Sequence, residues 1–85
     1  MRIYYSSTFE KEYRKLPKKI KHKAEKGEKI FRKDPFNPRL KTHKLKGILS
    51  GFLAFSIDYR YRIIFEFRDE KEVWFHSVAT HDIYK

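Results

Sequence analysis

A chain of 85 residues without cysteine is long enough for one domain, residues 1–85, and excludes disulfide and thiolate chemistry. No apolar run exceeds four residues, far below the roughly 20 that cross a bilayer, and no signal-peptide pattern follows Met1. We therefore expect a cytoplasmic protein, and its formal net charge of +10 predicts an anionic partner, with nucleic acid as the first candidate.

The first 33 residues predict a strand followed by two helices. Ile3–Tyr5 is β-prone, and the hydroxyl side chains at positions 6–8 can cap a helix that Pro17 ends. Apolar residues recur at intervals of three and four on both sides of Pro17, and the second helix continues to Lys33. Lysines cover the remaining faces of the second helix, so residues 1–47 carry 16 basic and 5 acidic side chains.

The second half of the chain predicts a sheet. Two prolines within residues 34–38 end the helical part, and the basic segment 41–47 is expected to be a loop that enters a strand, with a bend at Gly47 and Gly51. From residue 49 onward, apolar and polar residues alternate, which indicates three half-buried strands. The polar intervals 58–59 and 68–71 are short enough for hairpins, so these strands are predicted to be antiparallel.

The predicted fold class is α+β, with the order β-α-α-β-β-β and an antiparallel sheet packed against an N-terminal helical hairpin. One face of the sheet is covered by the helices and the other is more open. The chemistry is expected on the open side, where the alternation places Arg60, Arg62, Glu66, Trp74 and His76.

The residue types available for chemistry suit the cleavage of RNA. Cysteine is missing, and no paired carboxylates stand at a spacing that suggests a site, which leaves His, Arg, Lys and Tyr. An RNA strand can be cut by its own 2′-hydroxyl when one group removes that proton, a cation stabilises the phosphorus centre and another group protonates the leaving oxygen. This chemistry requires no metal and no cofactor.

His81 and Arg62 are the first candidates for these roles. His81 directly follows the last predicted strand, where side chains can converge on a ligand, although an exposed terminal histidine beside Asp82 is the plain alternative. Arg62 can bind phosphate through its planar guanidinium, and its alternative is a cross-strand ion pair with Glu66, Glu72 or another acid.

The segment around His43 is the second candidate region. His43 lies among Lys41, Lys44 and Lys46, whose positive charge disfavours its protonation and keeps it available as a base. These lysines, together with Arg60 and with His76 beside Trp74, are predicted to bind RNA, the histidine by stacking on a base. The alternatives are a solvated basic loop and an ordinary histidine on the sheet surface.

Several motifs in this order resemble the RelE/ParE superfamily of toxins from type II toxin-antitoxin systems, especially the RelE and YafQ-like ribosome-dependent mRNA interferases. The resemblance covers essentially the whole chain. The motifs are Ser-Thr-Phe-x-Lys-x-Tyr-x-Lys-Leu-Pro at 7–17, Asp-Pro-Phe-x-Pro at 34–38, Lys-Thr-His-Lys-Leu-Lys-Gly at 41–47, Tyr-Arg-Ile-Ile-Phe at 61–65 and Thr-His-Asp-Ile-Tyr at 80–84.

The resemblance implies a microbial RNase-like fold that cuts mRNA in the A site of the 70S ribosome and is neutralised by an acidic antitoxin. It also implies that Arg62 contacts the scissile phosphate and that His81 occupies a catalytic position. His43 is similar to a histidine that YafQ-like members use, and Tyr84 to a tyrosine that stacks on or orients the substrate.

The chain departs from the family pattern at the general base. Leu53 and Phe55 stand where RelE carries two lysines, and Ser56 and Arg60 stand where YafQ-like toxins carry a histidine and an aspartate. His43 is the best replacement. The ParE branch, which inhibits DNA gyrase without cutting RNA, is the main alternative, and a non-catalytic RNA- or ribosome-binding protein is the third.

Overall fold

The computed structural model describes residues 1–80 of the chain. They form two helices, five strands and two short 3-10 turns: β1 (Arg2–Tyr5), α1 (Ser7–Arg14), α2 (Lys18–Lys33), a 3-10 turn (Pro38–Leu40), β2 (His43–Lys44), a second 3-10 turn (Gly47–Leu49), β3 (Leu53–Ser56), β4 (Tyr61–Phe67) and β5 (Glu72–Thr80). Within these residues, neither helix is long and apolar enough to span a bilayer.

The two helices begin and end where the sequence predicts. The Ser6 side chain accepts a hydrogen bond of 2.9 Å from the Phe9 amide and so caps α1. The same hydroxyl donates to the carbonyl of His76 on β5, which joins the start of the helix to the sheet. Pro17 separates the helices because it cannot donate the backbone hydrogen bond that a continuous helix needs.

The sheet has the strand order β1-β5-β4-β3-β2 and is mixed. The three strands of the second half form the predicted antiparallel hairpins, but β1 lies parallel to β5, so the prediction of a wholly antiparallel sheet is wrong in this respect. The physical reason is the connection. Between β1 and its partner β5, the chain passes through both helices and three strands, and such a long connection allows parallel pairing, whereas short hairpins do not.

The core lies between the helices and one face of the sheet and consists largely of phenylalanine rings. Phe31 of α2 stacks on Phe55 at 4.9 Å between ring centroids and meets Phe65 and Phe75 edge-on at 5.0 and 5.4 Å. All four side chains are fully buried. The predicted alternation is confirmed for the helix side, where Leu53, Phe55, Ile63, Phe65, Val73 and Phe75 occupy odd positions; Ala54 and Ile64, at even positions, are also buried.

A β-bulge in β5 changes this alternation. Ile64 pairs with Ser77 and Phe65 pairs with Phe75, so His76 has no partner of its own on β4. Beyond the bulge, Val78 instead of Ser77 faces the core. The Glu12 carboxylate of α1 accepts hydrogen bonds from the Ser77 hydroxyl and the Val78 amide, at 2.7 and 3.1 Å. It thereby provides an acceptor for a backbone amide on the part of β5 that lies beyond the end of β1.

Candidate functional site

The open face, defined as the side of the sheet turned away from the helices, carries several of the predicted site residues. Arg62 pairs with Ser56 on one side and Ala79 on the other, in a single cross-strand row. His43 pairs with Ala54, two residues before Ser56, and therefore belongs to the neighbouring row. With strands about 4.8 Å apart and a rise of about 3.3 Å per residue, the Cα atoms of His43 and Arg62 lie roughly 12 Å apart on this face.

The His43 imidazole is exposed and is held in one orientation by the backbone. Its Nδ1 lies 3.0 Å from the carbonyl oxygen of Lys41. A carbonyl only accepts, so this hydrogen bond requires the proton on Nδ1 and leaves Nε2 of the neutral ring as the proton acceptor. Lys41 itself has a left-handed backbone with φ of 53°, which ends the first 3-10 turn two residues before β2 begins.

Among the described residues, the partners of the Arg62 guanidinium are backbone oxygens. Its Nη1 donates to the carbonyls of Asp58 and Tyr61, at 2.7 and 3.2 Å. The alternative of a cross-strand ion pair is not found within residues 1–80, where Glu66 pairs instead with Arg68 and His76. Both bonds use Nη1, so within residues 1–80 the donors of Nε and Nη2 are left without a protein partner.

The turn between β3 and β4 positions Arg62. Asp58 accepts hydrogen bonds from the amides of Arg60 and Tyr61, at 2.9 and 2.8 Å, which closes the turn. Arg60 is exposed within this turn, so its predicted place on a strand of the open face is wrong. The reason is that the Asp58 turn takes up residues 57–60, and β4 starts only at Tyr61.

Basic side chains surround this end of the sheet. Lys41, Lys44 and Lys46 are all exposed beside β2, as the sequence predicts for a basic segment. A cleft of about 290 Å³ separates α2 from the turn after β3 and is lined by Lys23, Lys26, Arg39 and Asp58, among others. Lys23 lies 3.8 Å from the Asp58 carboxylate, which brings the lysine-rich helix next to the turn that anchors Arg62.

His76 belongs to a row of aromatic rings on the open face. Tyr4 and Trp74 are stacked at 5.2 Å between centroids, Trp74 and His76 at 6.3 Å, and Phe52 meets His76 edge-on at 5.1 Å. The Nε2 atom of His76 lies 2.8 Å from a carboxylate oxygen of Glu66. The alternation along the last strand predicts His76 and Trp74 on this face, whereas the row of four rings depends on how the strands pair.

The remaining predicted residues divide into two groups. His81 and Tyr84 lie outside the described residues, and both remain predictions. Leu53 and Phe55, which stand at the positions of the RelE lysines, point into the core with exposed fractions of 9% and 0%. Neither position can therefore present a side chain to a ligand on the open face.

A groove between the two helices has no counterpart in the sequence analysis. It has a volume of about 620 Å³ and reaches down to Ile63 of β4. On its wall, the Tyr5 hydroxyl donates to the Glu28 carboxylate at 2.9 Å. Burial, and then this hydrogen bond, raise the pKa of Tyr5, and burial also raises the pKa of Tyr13. The signal in the sequence was the small residue Ala24 on the apolar stripe of α2, which lines the groove together with Ile63.

Comparison with solved structures identifies the fold. YafQ from E. coli superimposes with a TM-score of 0.80 at 19% sequence identity, covering 96% of this chain and 94% of YafQ. A YoeB/ParE toxin from Agrobacterium tumefaciens gives a TM-score of 0.79 at 15% identity, covering 95% and 99%. The chain has the fold of the YafQ and YoeB toxins. The predicted fold is thereby confirmed, while the open-face side chains have to be judged by their own geometry.

Other structures with the YafQ/YoeB fold contain a second protein. The E. coli DinJ-YafQ toxin-antitoxin complex matches with a TM-score of 0.78 at 20% identity, covering 96% of this chain and 93% of the YafQ-fold chain. A YoeB-YefM complex from Staphylococcus aureus matches with a TM-score of 0.76 at 21% identity, covering 95% and 97%. No protein-family model and no curated protein sequence matches this chain.

Proposed function

We propose that this protein is the toxin of a type II toxin-antitoxin pair and acts as an endoribonuclease that cuts mRNA in the ribosomal A site. The YafQ/YoeB fold supports the assignment as a toxin, and the resemblance of the sequence motifs to ribosome-dependent interferases supports the substrate. The net charge of +10 suits a cytoplasmic protein that binds both RNA and an acidic antitoxin.

The orientation of His43 is the observation that carries the nuclease proposal. Its hydrogen bond to the Lys41 carbonyl leaves Nε2 basic and exposed on the same face as Arg62. A nuclease of this type needs a neutral histidine beside a phosphate-binding cation. A protein that only bound gyrase would have no use for a proton acceptor oriented in this way, so the ParE-like alternative is not proposed.

The reaction proposed for the open face is an internal transfer at phosphorus. Nε2 of His43 removes the proton of the 2′-hydroxyl, and the 2′-oxygen forms a bond to the adjacent phosphorus. The bond from phosphorus to the 5′-oxygen of the next nucleotide breaks, which leaves a 2′,3′-cyclic phosphate. Arg62 stabilises the charge that accumulates on the phosphoryl oxygens, through the donors that its backbone anchor leaves unused.

The C-terminal residues are proposed to complete the site. His81 follows Thr80, whose strand partner Tyr61 is the neighbour of Arg62, so the described part of β5 ends beside the arginine. In this proposal, His81 protonates the leaving 5′-oxygen and Tyr84 stacks on or orients the substrate. Lys41, Lys44, Lys46 and Arg60 bind the RNA backbone, and an acidic antitoxin blocks the same surface.

The proposal is tested by inducing the protein in bacteria and mapping mRNA ends by primer extension. We expect new cuts within codons, and we expect His43→Ala and His81→Ala each to reduce them at least roughly a hundred-fold. His22→Ala is the matched control, because His22 is exposed on α2, away from the open face, and should leave cleavage unchanged. Intact mRNA in cells that make the folded wild-type protein would contradict the nuclease, and inhibited gyrase supercoiling would then identify a ParE-like toxin.

A further inference from the structure

The aromatic row on the open face, defined as Tyr4, Trp74, His76 and Phe52, has the geometry of a stacking surface. The planes of Tyr4 and Trp74 lie within 22° of parallel, and those of Trp74 and His76 within 21°. The centroid separations of 5.2 and 6.3 Å are those of offset stacking. Tyr4, Trp74 and His76 therefore cross β1 and β5 as a series of nearly parallel rings, and Phe52 meets the His76 end of the row edge-on.

The rings of this row are only half-buried. The core on the opposite face already contains the fully buried phenylalanines, so the fold does not need a second aromatic layer on this side. Within residues 1–80, the Trp74 ring is contacted by Tyr4 and His76 of the row and by the Arg68 guanidinium, which lies 4.7 Å from the ring centroid and 3.4 Å from the Glu66 carboxylate. Because the Arg68 side chain is 53% exposed, it can move away from the Trp74 ring without disrupting the fold.

We propose that the aromatic row is a base-stacking subsite for single-stranded RNA, with Trp74 as its principal residue. A nucleobase takes the place of the Arg68 guanidinium over the Trp74 ring, and Arg68 then pairs with the adjacent phosphate. Planar cations and bases compete for the same ring face, and base stacking is tolerant of sequence. This inference rests on the proposed function, because it assigns the contact that a substrate strand makes beyond the cleavage site.

The position of the subsite along β5 fits one substrate strand. Trp74 and Ala79 both lie on β5, and Ala79 pairs with Arg62. Five residues of strand span roughly 16 Å, a distance that a few nucleotides can bridge. A strand whose scissile phosphate lies at Arg62 therefore reaches Trp74 with a base a few positions away, and the stacked base limits how far the strand can slide.

The test is a binding measurement with the full chain and a short single-stranded RNA whose 2′-hydroxyls are methylated, so that it cannot be cleaved. Trp74 is the only tryptophan, and RNA is expected to quench its fluorescence. Trp74→Ala should weaken binding about ten-fold, measured by anisotropy of labelled RNA, and Trp74→Phe should recover most of the affinity. Phe36→Ala is the matched control, since Phe36 is 58% exposed and stacks on Phe67 on the helix side of the sheet.

The outcomes separate this inference from the proposed function. Unchanged RNA affinity in folded Trp74→Ala would overturn the stacking subsite. The proposed nuclease activity would not be affected by that result, because primer extension measures mRNA cleavage by the wild-type protein independently. Heparin supplies polyanionic charge without bases. If heparin quenches Trp74 as strongly as RNA does, the surface binds charge alone and the inference is wrong.

Discussion

The two faces of the sheet are formed by the same strands but differ in how far their side chains are buried. On the helix side, Phe31, Phe55, Phe65 and Phe75 have no exposed surface and contact one another at centroid distances of 4.9 to 5.8 Å, apart from Phe65 and Phe75 at 6.3 Å. On the open face, the aromatic row and Arg62 remain half-exposed, and hydrogen bonds to backbone or carboxylate oxygens hold Arg62 and His76. Stability therefore resides mainly in the helix-side face, and the half-exposed side chains of the proposed site lie on the other.

The difference shows what each face requires of the sequence. Burial of a ring depends on volume and period, which neighbouring residues along the chain already specify. A binding surface depends on which side chains meet across strands, and this is decided by register and by the bulge at His76. Substitutions on the two faces should accordingly have different consequences.

The largest expected effect is on the buried face, at Phe31. Phe31→Ala removes the ring that joins α2 to three strands, and we expect the free energy of unfolding to fall by about 3–5 kcal/mol. Urea denaturation followed by circular dichroism measures this loss. Phe36→Ala, at an exposed ring, should cost less than about 1 kcal/mol and serves as the control.

If Phe31→Ala does not fold, Phe31→Leu provides the same comparison with a smaller cavity. A loss below about 1 kcal/mol for Phe31→Ala would contradict the conclusion that stability resides mainly in the helix-side face. It would mean that the rings on the helix side rearrange to fill the space and that this face is less closely packed than the distances indicate.

The next effect is on the open face, at Arg62. Arg62→Ala should reduce mRNA cleavage roughly a hundred-fold while lowering the free energy of unfolding by only about 1 kcal/mol, because its bonds to the Asp58 and Tyr61 carbonyls are partly solvated. Primer extension measures the first quantity and urea denaturation the second. Arg62→Lys should not restore cleavage, since an ammonium cannot replace the two-pronged guanidinium.

Arg14→Ala is the matched control for Arg62, because Arg14 is an exposed arginine on α1, on the other side of the sheet. Full cleavage by a folded Arg62→Ala protein would remove the arginine from the mechanism. Unfolding of Arg62→Ala would instead show that the open face contributes to stability, and the distinction between the faces would have to be abandoned.

Much of the fold could be predicted from local patterns. Pro17 separates two helices whose apolar stripes have a period near 3.6, and the alternation from residue 49 onward fixes the three hairpin strands. Two features could not be predicted this way. The parallel pairing of β1 depends on the path of the helical crossover, and β2 has only two residues, His43 and Lys44, which is too short to show a period.

Less of the candidate site could be predicted. The residue types pointed to His43 and Arg62, but their presence in neighbouring rows of one face depends on the register of three strands. Arg62 illustrates the limit. The sequence left an acid such as Glu66 as the alternative partner of Arg62. In the structure, Arg62 donates to a carbonyl oxygen of the Asp58 turn, and Glu66 pairs with His76. Every residue has a backbone carbonyl, so the sequence does not indicate which carbonyl oxygen will lie within reach of Arg62.

The smallest expected effect concerns a polar contact on the helix side, where Tyr5 donates to Glu28 on the wall of the groove. Burial and this hydrogen bond raise the pKa of Tyr5 above the ordinary tyrosine value of about 10. The contribution of Tyr5 to stability is therefore complete below about pH 10 and is lost as the pH rises through the elevated pKa. Tyr5→Phe should cost less than about 1 kcal/mol at neutral pH, since the contact is exposed to solvent.

The difference in free energy of unfolding between the wild-type protein and Tyr5→Phe should shrink as the pH rises through the elevated pKa of Tyr5. The reason is that only the wild-type protein loses the contact of the neutral hydroxyl. Urea denaturation of both proteins at neutral and strongly alkaline pH measures this difference. Parallel loss of stability in the two proteins would show that the hydroxyl gains nothing from its position. The helix side would then contribute to stability through its apolar rings alone, and the contrast with the open face, where polar contacts hold the functional groups, would be sharper.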